Sequence, residues 1–309
     1  MNVTVRDVII IGSGPAGYTA AVYAARAGHS PLLFEGALTA GGELMNTSEV
    51  ENYPGFPEGI QGPDLMEAMK KQAERFEAEL VRDDVISLDL SGETKIVVDS
   101  EEKEHQAKTV ILAMGAAYKT LGLPDEERLG GRGVSYCATC DGFFFRGKEI
   151  AVVGGGDSAL EEALFLTRFA SKVTLVHRRD GFRAKQIMLD RAQADPKIQI
   201  DINSVVSEIH GDDKLEALTL TDTITGAARK IDAQGLFVAI GQSPRSDLVR
   251  GQVELDEKGY VVIQHPTTAT SVPGVFAAGD LADPKYRQAV TAAGMGCKAA
   301  QDVGWYLGD

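Results

Sequence analysis

The chain has 309 residues and a mass of 33.0 kDa, enough for two domains of ordinary size. Hydrophobic residues make up 44% and charged residues 25%, a globular composition, and no apolar run approaches the roughly 18 residues of a membrane span. A net charge of −14 argues against nucleic acid or an anionic membrane as partner, since both demand a basic face.

The first residues, Met1 to Asp7, lack the basic start, long apolar core and small-residue cleavage site of an export signal, so the expected compartment is the cytoplasm. The apolar run from Val8 to Ile11 reads as a strand entering the glycine turn Gly12-Ser13-Gly14-Pro15-Ala16-Gly17. An alanine-rich helical stretch then leads to Gly28, and Pro31 to Glu35 reads as a second strand. In such a unit the first glycine makes the turn and the second lets the backbone approach a pyrophosphate. The third small residue lets helix pack on strand, and the helix N-terminus offers N–H donors. Glu35, 23 residues after Gly12, stands where a carboxylate holds the hydroxyls of an unphosphorylated ribose, as in FAD or NAD.

The Gly/Pro-rich segment from Gly41-Gly42 through Asn52 to Pro57 either lines a flat aromatic ligand with polar groups or is simply a long loop. An amphipathic helix is expected over about 64–78, and alternating segments at 85–90 and 95–99 predict antiparallel strands. The apolar run Thr109 to Gly115 closes this part.

Two of the three cysteines form Cys137-Ala138-Thr139-Cys140. In a reducing compartment such a pair is redox-active or metal-binding. A zinc half-site would need a second Cys pair or a nearby His pair. Neither Cys297 nor the five scattered histidines supply one, and Cys297 is expected to be a packing residue in a helix. A two-residue spacing brings the sulfurs within disulfide reach and often lowers a thiol pKa. Asp141, next in line, suits either proton transfer to and from thiolates or a helix N-cap.

The strand–turn–helix–strand pattern then repeats at Glu149 to His177, with the turn Gly154-Gly155-Gly156-Asp157-Ser158-Ala159. Two such motifs in the right context argue for two dinucleotides. Where the first unit has Glu35 the second has His177, again 23 residues after its first glycine, followed by Arg178, Arg179 and Arg183. Arginines here clamp a 2′-phosphate, which NADPH has and NADH lacks. A strand at Gly235 to Gly241 parallels the one ending at Gly115, so a domain is inserted between Gly115 and about Ser243. The returning segment carries Val275 to Gly279-Asp280, whose carboxylate either meets a cofactor hydroxyl or is structural. Arg287-Gln288-Ala289-Val290 opens a final helix whose amides can face a flavin ring.

Taken together, Gly12 to Gly17, Glu51 to Gly55, Cys137 to Gly142, Gly154 to Ala159, His177 to Arg183 and Gly279-Asp280 closely resemble the low-molecular-weight thioredoxin reductases, in order and over essentially the whole chain. Large-type reductases keep their dithiol in the first domain and add a C-terminal redox tail, and this chain does neither. Glu43 stands where that family often has Gln. The resemblance implies an α/β fold of two Rossmann-like dinucleotide-binding domains, each a three-layer sandwich. An NADPH-binding domain (118–245) carrying the dithiol is inserted into a discontinuous FAD-binding domain (1–117 and 246–309). It also implies one non-covalent FAD per subunit, NADPH as electron donor, thioredoxin as substrate and a homodimer.

By the same resemblance, FAD would lie on Gly12, Ser13, Gly14, Pro15, Ala16, Gly17, Glu35, Gly42, Glu43, Leu44, Asn52, Gly115, Gly279, Asp280, Arg287, Gln288 and Ala289. NADPH would lie on Gly154, Gly156, Asp157, Ser158, His177, Arg178, Arg179, Arg183 and Gly241. Cys140 would face the flavin, Cys137 would attack the thioredoxin disulfide, and Asp141 would protonate the departing thiolate. Because dithiol and nicotinamide share one domain yet both need the flavin, the inserted domain is expected to rotate on its two connectors. Arg128, Arg132, Arg146 and Lys148, with Phe143 and Phe144, are read as a docking patch for the protein substrate or as ordinary surface and core. The rivals are another dithiol protein as electron sink, a dithiol oxidase, and a flavin-bound sensor. The arginine cluster favours an NADPH-fed reductase over the oxidase.

Overall fold

The computed structural model describes residues 4–38, 40–47 and 49–309. The chain forms two compact units, one of Met1–Ala117 with Ser243–Asp309, the other of Tyr118–Gln242. The first begins with β1 (Val5–Ile11), α1 (Pro15–Arg26), β2 (Leu32–Phe34), α2 (Gly62–Arg75), β3 (Glu79–Val81), β4 (Val85–Asp89), β5 (Lys95–Asp99) and β6 (Glu104–Leu112). The second holds β7 (Val134–Ser135), α3 (Ala138–Asp141), β8 (Glu149–Val153), α4 (Asp157–Leu166), β9 (Lys172–Val176), α5 (Gln186–Ala194) and β10 (Ile198–Asp201). It continues through β11 (Ser204–His210), β12 (Ala217–Asp222), β13 (Ala228–Asp232) and β14 (Gly235–Val238), and the first unit then resumes with β15 (Val275–Ala277) and α6 (Ala289–Leu307).

In the first unit β1 runs parallel between β2 and β6, with Ile9 opposite Leu32 and Val110, and Ile11 opposite Phe34 and Leu112. Side chains alternate between the faces of a strand. Val8 and Ile10 therefore join the core under α1 and α6, while Ile9 and Ile11 join a second core with Leu90, Val97, Val249 and Val261. With both faces covered, the strand reads as an unbroken apolar run. The nine-residue β6 divides one of its edges. Ala107 pairs antiparallel with Lys95 of β5, and Leu112 pairs parallel with Ala277 of β15. The antiparallel strands expected at 85–90 and 95–99 are β4 and β5.

Helix α1 presents Ala16, Ala20, Ala21 and Ala24 to the core. These small residues let α6 approach closely: a Cβ on Gly296 would lie 2.1 Å from the Ala16 carbonyl oxygen. Helix α2 starts and ends earlier than the pattern suggests. Pro63 fits its first turn, and Glu77 takes a left-handed φ of 65°, which stops the helix before Ala78.

The second unit is centred on the parallel sheet β7-β14-β8-β9-β10, in which Val152 of β8 lies opposite Leu175 and Phe237. A separate antiparallel sheet, β11-β12-β13, follows. Among the described residues, no helix is long and apolar enough to cross a membrane.

Candidate active site

The two glycine turns are built alike, each within its own unit. A Cβ on Gly12, whose φ is +105°, would lie 2.3 Å from the Ala113 carbonyl oxygen, and one on Gly154 would lie 2.5 Å from that of Ala239. Both turns are pressed against the residues that follow a neighbouring strand, β6 or β14, and only glycine fits. The second glycines differ. Nothing stands within 4 Å of a Cβ placed on Gly14 or Gly156, so the backbone is open at the start of α1 and of α4. That opening is what close approach of a pyrophosphate requires. At the third position a Cβ on Gly17 would meet the Gly12 carbonyl oxygen at 1.8 Å, whereas Ala159 is accommodated, fully buried.

The remaining first-unit candidates gather around the first turn. Ser13 is a strut: its hydroxyl donates to the Glu35 carbonyl at 2.7 Å and accepts the Gly41 N–H at 2.9 Å. Gly42, which begins the short turn Gly42–Asn46 containing Glu43 and Leu44, lies against Gly14; a Cβ on it would be 3.3 Å from the Gly14 Cα. The Glu35 side chain is 2% exposed. Tyr18 donates its hydroxyl to that carboxylate at 2.5 Å, and the Lys70 ammonium lies 3.0 Å away. Burial, then the adjacent carboxylate, push the Tyr18 phenol well above its ordinary range, so it stays protonated and donates. Two partners from α1 and α2 thus hold a buried carboxylate whose remaining lone pairs can accept ribose hydroxyls.

Asn52 donates its amide to Gln288 Oε1 at 3.1 Å, joining the Gly/Pro-rich loop to the N-cap of α6. The helix itself begins at Ala289, because Arg287 takes a left-handed φ of 52°. Arg287 Nε is buried with no hydrogen-bond partner among the described residues. Nearby, burial first and then the Asp283 carboxylate push Asp280 up to about 6, against the pull of Arg287. An orphaned donor beside a buried carboxyl fits a polar ligand that would satisfy both. A carboxyl that binds its proton more tightly when folded favours the fold below pH 3.8, and that contribution is lost as pH climbs through about 6. In the ligand-free protein, Asp280→Asn is therefore expected to be more stable than the native chain at pH 8 by on the order of 2 kcal/mol, with no gain at pH 4. Thermal unfolding at the two pH values checks this.

Glu43 forms an ion pair with Arg245 at 2.6 Å. The Glu43 charge is thereby matched within the same unit. Arg245 also donates its backbone N–H to the Gly115 carbonyl at 3.0 Å.

In the second unit the segment after β9 folds back onto the glycine turn. The His177 ring is buried, stacks on Phe182 at 4.6 Å, and occupies the space a Cβ on Gly155 would need. His177 therefore shapes the turn as a packing element. The Arg183 N–H donates to the Gly155 carbonyl at 2.8 Å, and the Lys185 N–H to Asp157 Oδ1 at 2.8 Å. Arg178, Arg179 and Arg183 are exposed, and no ion pair among the described residues holds them.

Cys137 and Cys140 form a disulfide with their Cα atoms 5.3 Å apart. Cys137 is the N-cap of α3: its Sγ accepts the Cys140 N–H at 3.3 Å, and Thr139 Oγ1 lies 3.4 Å from the same sulfur. Hydrogen-bond donors at that atom favour its thiolate once the disulfide opens. The helix-cap alternative for Asp141 holds in position but not in hydrogen bonding. Asp141 is the last residue of α3 and stands at the N-cap of the short turn Gly142–Phe145, but its side chain makes no capping bond. Its carboxylate instead accepts the hydroxyl of buried Ser135 at 2.6 Å. Burial raises the Asp141 pKa above its ordinary value, and the Ser135 hydrogen bond offsets part of that rise. A half-buried acid with raised proton affinity beside a dithiol suits proton donation. Ser135 also accepts the Cys137 N–H at 3.1 Å, tying acid and dithiol to one side chain.

The candidate docking residues separate into different environments. Phe143 is half exposed, with the Arg146 guanidinium 4.9 Å from its ring centroid. Phe144 packs partly into the core. Arg128 is committed to Asp125 and to the Gly211 and Asp212 carbonyls. Cys297 lies in α6, partly buried.

The pyridine nucleotide-disulphide oxidoreductase family model matches residues 6–296. A thioredoxin reductase of Mycolicibacterium smegmatis is 62% identical over 306 residues, covering 99% of this chain and 98% of that protein. A bifunctional thioredoxin reductase/thioredoxin of Mycobacterium leprae is 57% identical over 99% of this chain and 67% of its own length. A solved thioredoxin reductase from Giardia duodenalis superposes with a TM-score of 0.94 at 42% identity, covering all of both chains.

Proposed function

The chain belongs to the pyridine nucleotide-disulphide oxidoreductase family, among its low-molecular-weight thioredoxin reductases, and from that premise we propose how its residues divide the work. It is an NADPH-dependent flavoprotein oxidoreductase that reduces thioredoxin through Cys137 and Cys140. The observation that carries the residue assignments is the Cys137–Cys140 disulfide, with Asp141 held beside it by Ser135, in the unit that also bears the arginine-flanked glycine turn.

The first unit would hold one non-covalent FAD per chain. The open turn at Gly14 and the first-turn N–H groups of α1 would meet its pyrophosphate. Glu35, braced by Tyr18 and Lys70, would take its ribose hydroxyls, and the buried Asp280 and Arg287 would take further polar groups. The second unit would hold NADPH, with Gly154, Gly156, Asp157 and Ser158 at the pyrophosphate and Arg178, Arg179 and Arg183 on the 2′-phosphate. Bound FAD supplies the two-electron chemistry that links nicotinamide to disulfide.

The chain's own chemistry is thiol exchange. The Cys137 thiolate attacks one sulfur of the thioredoxin disulfide, and the sulfur it displaces takes a proton from Asp141. The Cys140 thiolate then attacks Cys137 Sγ, reforming the native disulfide and displacing the second thioredoxin sulfur as a thiolate, which takes its proton from water to complete the released dithiol. Reorientation of the second unit on its connectors between half-reactions completes the proposal, together with a homodimer in the reducing cytoplasm, where a disulfide is catalytic rather than structural. The test is oxidation of NADPH and of NADH, with and without thioredoxin. NADPH turnover that does not depend on thioredoxin would overturn the assignment.

Arg132 is exposed and precedes the dithiol in sequence, and Arg146 covers exposed Phe143. Reversing both charges is expected to raise the KM for thioredoxin about fivefold to tenfold, while reduction of a small aromatic disulfide is unchanged. Steady-state kinetics with both substrates checks this.

A further inference from the structure

We propose that Asn203 and Thr223 are specificity-positioning residues: they brace the backbone of Arg178 and Arg179 so that both guanidinium groups meet a 2′-phosphate. The inference rests on the coenzyme reading given above and extends it to residues that do not touch the coenzyme.

The parallel ladder between β9 and β10 ends at Val176 and Asp201. Beyond it the discriminating residues have no strand partner, and no ion pair among the described residues fixes Arg178 or Arg179. Their backbone is held by another route. The His177 N–H donates to the Asp201 carbonyl at 2.8 Å. The three carbonyls that follow each accept one hydrogen bond: that of His177 from the Ser204 N–H at 3.0 Å, that of Arg178 from the Thr223 hydroxyl at 3.4 Å, and that of Arg179 from the Asn203 N–H at 3.3 Å. Asn203 is the pivot. Its left-handed φ of 51° turns the chain from β10 into β11 and aims its N–H at Arg179. Its carbonyl in turn accepts the Thr223 N–H at 2.7 Å and, at 3.1 Å, shares the single Thr223 hydroxyl proton with the Arg178 carbonyl.

Thr223 stands at the tip of the β12–β13 hairpin. That tip is itself fixed by Asp222, whose Oδ1 accepts the Ile224 and Thr225 N–H groups at 2.9 and 2.7 Å. Two distant turns thus meet on one three-residue segment, the segment that distinguishes a phosphorylated ribose. Bidentate contacts to a phosphate demand accurate placement of the guanidinium plane. A loosened backbone would cost affinity only for ligands that carry the 2′-phosphate.

The test is calorimetric titration of the purified holoenzyme with 2′,5′-ADP and with 5′-ADP. Asn203→Val disfavours the left-handed backbone, and Thr223→Val removes the hydroxyl while keeping the shape. Each is expected to weaken 2′,5′-ADP about fivefold to tenfold and to leave 5′-ADP unchanged. Asn203→Gly and Thr223→Ser, which preserve the brace, should bind both nucleotides like the native chain. Thr223 is exposed at a hairpin tip, so its variants keep the experiment decisive even if Asn203→Val does not fold. Native binding of 2′,5′-ADP by Thr223→Val, or equal weakening of both nucleotides, overturns the brace. Replacing Arg178 and Arg179 together by Gln separates the two failures. Native affinity there overturns the coenzyme reading and the brace with it. Lost affinity there, with native affinity in the braced-position variants, overturns the brace alone.

Discussion

Replacing Cys140 by serine is expected to lower thioredoxin reduction to less than about one thousandth of the native rate, while NADPH consumption by ferricyanide persists. The size of the effect follows from stoichiometry. Cys137 can still attack a disulfide, but without Cys140 no thiolate resolves the mixed disulfide, and the cycle stops after one exchange. The native disulfide joins the two sulfurs across the first turn of α3, with Cys137 at its N-cap and Asp141 at its end. No other cysteine belongs to this cluster, since Cys297 lies in the other unit. The variant should also accumulate a covalent adduct with thioredoxin that mass spectrometry detects and dithiothreitol releases. Undiminished steady-state turnover would place the redox centre elsewhere.

Charge removal at Arg178 and Arg179 should have the second largest effect, lowering the preference for NADPH over NADH about a hundredfold. Each guanidinium would contribute a charge-assisted bond to a dianionic group, and both are exposed with no competing acid in an ion pair among the described residues. His177 belongs to the same sequence cluster but not to the same role. Its ring is buried between Phe182 and Gly155, so its removal would disturb the glycine turn and should weaken NADPH and NADH alike. Comparing kcat/KM for the two coenzymes in the double variant decides the matter. A change confined to NADPH is required, and equal losses with both coenzymes would argue against phosphate recognition.

Much of this architecture was legible in the sequence because it is local. The strands β1 and β8 are apolar runs ending in glycine turns, although the backbone carbonyls that press on Gly12 and Gly154 belong to Ala113 and Ala239, far along the chain. The dithiol, too, is a four-residue motif. The partners that tune the site are not local and left no pattern. Tyr18 and Lys70 reach Glu35 from two different helices. Arg245 finds Glu43 across 202 positions of sequence. Asp141 looked equally suited to capping, since a carboxylate beside a helix start is favourable. The helix begins earlier, at Ala138 with Cys137 as its cap, and leaves that carboxylate to Ser135. Arg128 read as an available cation, yet its donors are taken by the Gly211 and Asp212 carbonyls, more than 80 positions away.

The split of the first unit across the chain also orders its synthesis. The second unit is one continuous run, Tyr118–Gln242, closed at its own boundary by the hydrogen bond from the Lys119 N–H to the Gly241 carbonyl at 3.0 Å. It can complete its sheet while the last residues are still being translated. The first unit must wait: β15 has to pair with β6, and α6 has to close over α1, before its core is covered. On the ribosome, the domain made last in sequence terms is the one begun first, and a chain stopped after Gln242 would release a finished dithiol unit tethered to an open sheet.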